Sequence, residues 1–326
     1  MANYQLYTLI LSFIISIIIG LIVLPILKKL KIGQIERQEG PESHFKKQGT
    51  PTMGGIIMIL TLIIVTIIMC IIYSKTESAV IFNLLPLVVT IIGFGVIGFI
   101  DDFKKLVLKN TDGLKPMYKI LGLLVISVAF IIYYIIIKKV SMEIFIPVFK
   151  EYIDIPIYVY IPFLIFVILG TTNAINLTDG IDGLATGVTT IIIATLTVIG
   201  ITLGSKEIVL LGSILCGANM GFLIFNMHPA KVFMGDTGSL MLGGAIASIA
   251  IYLQMPLILI ILAIIPIIET ISVMIQVIYF KKTGKRVFKM TPIHHHFELS
   301  GWNENKVVIV FSIITLISCV IGLFTI

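Results

Sequence analysis

The chain has 326 residues, of which 58% are hydrophobic and 12% charged, with a mean hydropathy of +1.12 and a formal net charge of +6. A soluble domain carries about 25% charged residues, and nearly every apolar run here approaches the roughly 20 residues that cross a bilayer as a helix. A soluble fold is excluded, and a closed barrel is too, because the runs are continuous where barrel strands alternate.

The apolar runs predict an all-α polytopic membrane protein of about ten helices, over 4–27, 53–73, 79–100, 118–137, 155–172, 184–203, 207–225, 238–254, 255–280 and 307–325. The first run has no positive segment before it and no small-residue cleavage site after it, so it reads as a retained span. The eighth and ninth come from one run of 43 residues, about 64 Å if straight at 1.5 Å per residue. That run must fold back, and Gln254-Met255-Pro256 is the place to break it. Pro266 is expected to bend the ninth helix. Residues 138–155 alternate loosely and predict a short hairpin or interfacial element. There is no internal repeat and no soluble segment, so the chain reads as a single integral membrane domain. Cys70, Cys216 and Cys319 all lie in apolar runs without paired spacing and read as buried, inert thiols.

Ten spans put both termini on one side. The connections 27–52, 101–117, 173–183, 226–237 and 281–306, with their flanks, hold 18 of the 23 Lys and Arg residues. The positive-inside rule places this set in the cytoplasm and the termini outside. The basic excess then faces anionic lipid and anionic substrates, and nucleic acid is not needed to explain it.

The same five connections carry most of the polar chemistry. The second begins with Asp101 and Asp102, where a long apolar run ends in two adjacent carboxylates. The third supplies Asn173, Asn176, Asp179 and Asp182; the fourth Asn226, His228, Lys231 and Asp236; the fifth His294, His295 and His296. Taken singly, Gly-Thr-Pro-Thr and Asp-Gly are turn formers, Asp182-Gly183 reads equally as a helix cap, and Gly93, Gly95 and Gly98 permit close helix packing. Successive histidines on an extended chain point in alternating directions, so the three are not expected to hold one ion. Collectively, five carboxylates near predicted helix ends on one face would repel one another and the anionic leaflet. Magnesium, held by one or two carboxylates together with phosphate oxygens, offsets that. The pattern points to phosphate chemistry on a lipid.

The strings K-x-G-T-P-T-M-G-G, G-F-I-D-D-F-x-K, N-x-x-N-x-T-D-G-x-D-G-L, F-x-G-D-T-G-S and P-I-H-H-H-F-E, in that order from about Lys47 to Glu298, closely resemble the phospho-N-acetylmuramoyl-pentapeptide transferases. These are polyprenyl-phosphate N-acetylhexosamine-1-phosphate transferases. The resemblance implies a bacterial plasma-membrane enzyme of peptidoglycan synthesis. Such an enzyme transfers phospho-MurNAc-pentapeptide from UDP-MurNAc-pentapeptide to undecaprenyl phosphate with Mg2+, giving lipid I and UMP. It implies Asp101, Asp102 and Asp236 as essential acids, with Asp236 as the metal ligand. It also implies Lys47, Thr52, Asn176, Asp179, Asp182 and Phe233 as the nucleotide-sugar pocket, Lys119 as a phosphate contact, and His294 to His296 as substrate-positioning residues. A homodimer is implied as well. Direct attack by the lipid phosphate, with Asp101 as base, and double displacement through an aspartyl intermediate both remain open. A UDP-GlcNAc-using sibling and a lipid-linked sugar transporter are the rival readings; the transporter predicts acids at mid-membrane. Glu269 is the one acid there, and it is expected to be a structural pairing or a wall of a lipid groove.

Overall fold

A computed structural model of the chain describes residues 3–29, 49–106 and 113–326. Ten long helices account for most of it: α1 Asn3–Lys29, α2 Gly55–Tyr73, α3 Ser78–Leu106, α4 Pro116–Ile132, α5 Ile157–Thr178, α6 Leu184–Thr202, α7 Lys206–Asn226, α8 Gly235–Tyr252, α9 Ile264–Thr283 and α11 Glu304–Phe324. The short α10, Ile293–Glu298, precedes the last of them. Nine of the ten are long and apolar enough to cross a membrane. The exception is α8, rich in glycine, alanine and serine, whose residues from Thr237 to Tyr252 are all buried. A helix buried all round is a core element, and α2, α3, α5 and α6 surround this one. The protein is an all-α, multi-pass membrane protein.

Small residues set the closest crossings. α1 lies along α7, where Gly217-Ala-Asn-Met-Gly221 forms the small-xxx-small pattern that lets helix backbones approach in lipid. A Cβ on Gly217 would lie 2.4 Å from the Leu9 carbonyl oxygen, and one on Gly221 would lie 2.5 Å from Ser16 Cβ. Ser12 and Ser16 reinforce the seam by donating to the carbonyls of Ile214 and Ala218 at 2.6 and 2.8 Å. Gly221→Val is therefore expected to destabilise the protein by about 1–3 kcal/mol, the usual cost of overpacking. Denaturant unfolding in detergent would measure it.

The 43-residue run does break where expected. Helix α8 ends at Tyr252, Gln254 takes a φ of +59°, and Pro256 opens a 3-10 turn. A single α-helical turn, Leu259–Leu262, then leads into α9. The expected irregularity at Pro266 is present. The helical turn ends at Leu262, Ala263 leaves helical geometry with φ −97° and ψ 34°, and α9 restarts at Ile264. The break therefore falls in the turn just before Pro266, whose ring and missing N–H disfavour a continuous helix there. The 138–155 segment forms the expected hairpin, with β1 Glu143–Ile146 antiparallel to β2 Glu151–Asp154. It rests on the α8–α9 break, with the Phe145 N–H donating to the Gln254 carbonyl at 2.9 Å. All three cysteines are free, and Cys216 and Cys319 are buried.

Several helices run further than the apolar pattern reaches. α3 continues to Leu106, so Asp101 and Asp102 sit one turn inside a helix and do not end it. α5 continues to Thr178, carrying Asn173 and Asn176 on helix, not loop. The three histidines lie on a helical turn, not on extended chain. A helix is satisfied internally whatever its side chains, so hydropathy marks where lipid stops and not where the helix does.

Candidate active site

The described residues of the five polar connections lie at one end of the bundle. Residues 51–55 are fastened to 233–234 by main-chain bonds: Phe233 N–H to Pro51 carbonyl at 2.8 Å, Gly54 N–H to Phe233 carbonyl at 2.8 Å, and Gly55 N–H to Met234 carbonyl at 2.9 Å. This sets the start of α8 against the start of α2. Gly235 turns the chain with a φ of +74°, and a Cβ there would meet Asp102 Oδ2 at 2.6 Å and Thr52 Oγ1 at 2.9 Å. Thr52 is accordingly buried beside the acidic pair.

Asp102 and Asp101 have different surroundings. Asp102 reaches across to the N-terminus of α8, where helix N–H groups lack internal partners. Its Oδ1 accepts from the Asp236 N–H at 3.1 Å, and its Oδ2 accepts from the Thr237 N–H at 2.9 Å and the Thr237 hydroxyl at 2.6 Å. Asp101 Oδ1 accepts from the Leu114 N–H at 2.6 Å, while its Oδ2 pairs with Lys105 Nζ at 2.6 Å.

Asp236, in the first turn of α8, is the hub. Its Oδ2 pairs with Lys105 at 3.0 Å and Lys119 at 2.9 Å, and its Oδ1 accepts from Asn176 Nδ2 at 2.7 Å. Asn176 Nδ2 also donates to Ser239 at 2.9 Å, which fixes the amide. Lys119 lies 3.9 Å from Asp101, so two ammonium groups bridge the Asp101–Asp236 pair. An ammonium between two carboxylates stands where a hard cation fits, and the donor set is all oxygen, as magnesium prefers.

Asp179, which caps the end of α5, is half-buried. Burial first, then the Asp236 and Asp102 carboxylates, push its pKa up to about 8, against a Gly235 N–H that pulls it down. A carboxyl raised in this way binds more protons folded than unfolded, so its contribution to stability falls as pH rises from about 4 through 8. In metal-free buffer this lowers the melting temperature progressively between about pH 5 and 8, and Asp179→Asn is expected to flatten that drop.

Further out, Asp182 Oδ2 accepts the Ala230 N–H at 3.0 Å and lies 3.0 Å from His228 Nδ1, which is 3.6 Å from Glu304 Oε2. These three could hold a metal ion by spacing, but an imidazole-containing set suits softer metals better than magnesium. Asn226 braces the same loop, accepting from Thr186 at 2.7 Å and donating to the Val232 carbonyl at 3.0 Å. The three histidines separate: His294 faces Glu269 at 3.0 Å, His295 faces Glu298 at 2.8 Å, and His296 Nδ1 accepts from the Lys289 N–H at 3.2 Å.

Asp101, Asp102, Asp236, Asn176 and Lys119 thus form one connected cluster, Asp179 faces it, and Thr52 flanks it. Asp182 and the histidines lie in adjoining clusters, and Lys47 lies outside the described residues. Lys105, the last letter of G-F-I-D-D-F-x-K, and Thr237, in F-x-G-D-T-G-S, stand in the quoted motifs with no role given to them. The i, i+4 spacing of Lys105 from Asp101 becomes a contact only because α3 runs past residue 100.

The profile described as glycosyl transferase family 4 matches residues 84–254, and a phospho-N-acetylmuramoyl-pentapeptide-transferase signature matches residues 47–59. A phospho-N-acetylmuramoyl-pentapeptide-transferase of Acetivibrio thermocellus is 46% identical over 98% of this chain and 94% of its own. One of Clostridium perfringens strain 13 is 48% identical over 96% of each chain, and one of Caldicellulosiruptor bescii is 46% identical over 97% and 95%. With the motifs, the helical architecture and near full-length identity in agreement, the chain belongs to glycosyl transferase family 4, among the phospho-N-acetylmuramoyl-pentapeptide-transferases.

Proposed function

We propose that the protein transfers phospho-MurNAc-pentapeptide from its UDP carrier to undecaprenyl phosphate, releasing UMP and forming lipid I at the cytoplasmic face of the membrane. The observation that carries the reading is the Asp101–Asp236 pair bridged by Lys105 and Lys119, with Asn176 bonded to Asp236. Two phosphate-bearing substrates repel each other, and a site for joining them must supply positive charge on a rigid frame. Asp236, with Asp101 beside it, would hold the magnesium ion. When bound, that ion supplies charge neutralisation at the diphosphate and the leaving group.

The chain's own residues do the remaining work. Lys105 and Lys119, already held between the carboxylates, receive phosphate oxygens. Asn176 orients Asp236. Asp102 locks the start of α8, and so serves as a positioning residue, not the nucleophile. Asp101 is the base: it takes the remaining proton of the lipid phosphate, whose second pKa is about 6. An acceptor oxygen then bonds to the sugar-bearing phosphorus, and the bond from that phosphorus to the bridging oxygen breaks, so the bridging oxygen leaves with UMP. Thr52, Phe233, Asp179 and Asp182, with Lys47, form the donor pocket.

Both termini outside, a homodimer and a single catalytic domain complete the proposal. The acids gather at one helix end, and Glu269, the acid that a transporter would need at mid-membrane, is tied to His294. UMP release by detergent-purified protein from UDP-MurNAc-pentapeptide, undecaprenyl phosphate and Mg2+ tests the reading. Release that requires all three supports it. Release from UDP-GlcNAc alone would move the protein to the sibling activity, and none from either donor would sink the transferase.

A further inference from the structure

Glu269 is the acid that the reaction above leaves unused. It is fully buried in α9, as is its partner His294 in α10. Glu269 Oε1 accepts from His294 Nδ1 at 3.0 Å, and Oε2 faces the His294 backbone N–H at 3.4 Å. A carboxylate on Nδ1 selects the tautomer with the proton there and leaves a lone pair on Nε2. That Nε2 is buried and has no hydrogen-bond partner among the described residues. What covers it is Gly180: a Cβ built there would lie 2.2 Å from Nε2 and 2.6 Å from Cε1. Gly180 separates Asp179 from Ile181, so the imidazole edge forms the floor beneath the Asp179–Gly180 turn.

This arrangement is costly for packing alone. An orphaned buried polar atom carries its full desolvation penalty, and buried ion pairs are often replaced by apolar residues without loss. Resting on the donor-site reading above, we infer that Glu269 is a positioning residue of that site. It holds His294 in one tautomer and orientation, and the ring sets the height of the Asp179–Gly180 turn, and so of Asp179 and Asp182, against the UDP-sugar. Gly180 is glycine because a side chain would have to occupy the place of the ring.

The test compares Glu269→Ala, Glu269→Gln and Gly180→Ala, with kcat and the KM of each substrate measured separately. Glu269→Ala is expected to raise the donor KM about 10- to 100-fold, the usual penalty for losing an orienting partner. The acceptor KM and kcat should stay within about threefold. Glu269→Gln still accepts from Nδ1–H and is expected to recover most of the loss, while Gly180→Ala disturbs the same contact from the exposed side and should raise donor KM alike. A merely structural role would lower the active fraction, and hence kcat, with both KM values unchanged; that result overturns the inference. So does a Glu269→Gln variant as impaired as Glu269→Ala, or a Glu269→Ala variant indistinguishable from wild type. Calorimetric titration of UMP separates the two readings. If wild type binds UMP without turnover, the reaction alone is lost, and the ratio of UMP Kd values decides the role of Glu269. If wild type does neither, both readings fall.

Discussion

Asp236→Ala is expected to lower UMP release on the order of 10³-fold or more while leaving the protein folded, the scale of losing a principal electrostatic group from an active site. Three side chains converge on this carboxylate: Lys105 at 3.0 Å, Lys119 at 2.9 Å and Asn176 at 2.7 Å. Alanine removes the only group among the described residues that touches all three. Lys105 would retain Asp101 at 2.6 Å, but Lys119 would be left with a partner at 3.9 Å. On the proposed function, the two lysines would then lose their alignment for phosphate and a bound magnesium ion would lose a carboxylate ligand. Because the effects act on one unit, Asp236→Ala combined with Lys119→Ala is expected to cost little more than Asp236→Ala alone. Stability should change less than activity, since the start of α8 is held by Asp102 through the backbone and Thr237, not through the Asp236 side chain. Initial rates at saturating Mg2+, beside a melting curve, would check both. A variant retaining a tenth of wild-type activity would remove Asp236 from the centre of the site.

The sequence carried the architecture well because lipid imposes a single rule. Every span must be a helix, so runs of apolar residues count the helices, and a proline after a polar residue marks where the 43-residue run breaks. It carried the site less completely. Asp101, Asp236 and Asn176 were legible as motif members, but their contacts arise from three helices, and no spacing along the chain encodes a distance between α3, α5 and α8. Lys105 was a motif letter too, but its pairing with Asp101 and Asp236 was hidden because α3 outlasts its apolar stretch. Glu269 stood alone in sequence for the same reason: its partner lies 25 positions away, on a helical turn that hydropathy does not mark. The different roles of the adjacent Asp101 and Asp102 became visible only from what each oxygen accepts. On a helix, neighbouring side chains point about 100° apart, so one faces the α8 terminus and the other the lysines.

That difference yields the second large expectation, a split between two variants with the same chemical change. Asp102→Asn is expected to lose stability and activity together. Both oxygens accept, from two N–H groups and one hydroxyl, and an amide must turn a donor towards one of them. Leaving buried donors unsatisfied costs about 1–3 kcal/mol, and more when the lost partner was charged. Asp101→Asn should fold nearly as wild type. Its amide oxygen still accepts from Leu114, its NH2 group faces a lysine that retains Asp236, and the deficit appears in rate. The pH dependence then identifies the chemistry. Below about pH 6 the lipid phosphate carries a proton that Asp101 must remove; above it the phosphate is increasingly a dianion. The rate deficit of Asp101→Asn is therefore expected to be largest in acid and to narrow towards pH 8. A deficit independent of pH would deny Asp101 the base role. Mass spectrometry of wild type incubated with donor and no acceptor provides the complementary check. A sugar-phosphate adduct on Asp101 would replace direct attack by double displacement, with the carboxylate as nucleophile and Lys105 steadying it. Absence of an adduct, together with a pH-dependent deficit, would leave the lipid phosphate as the attacking group.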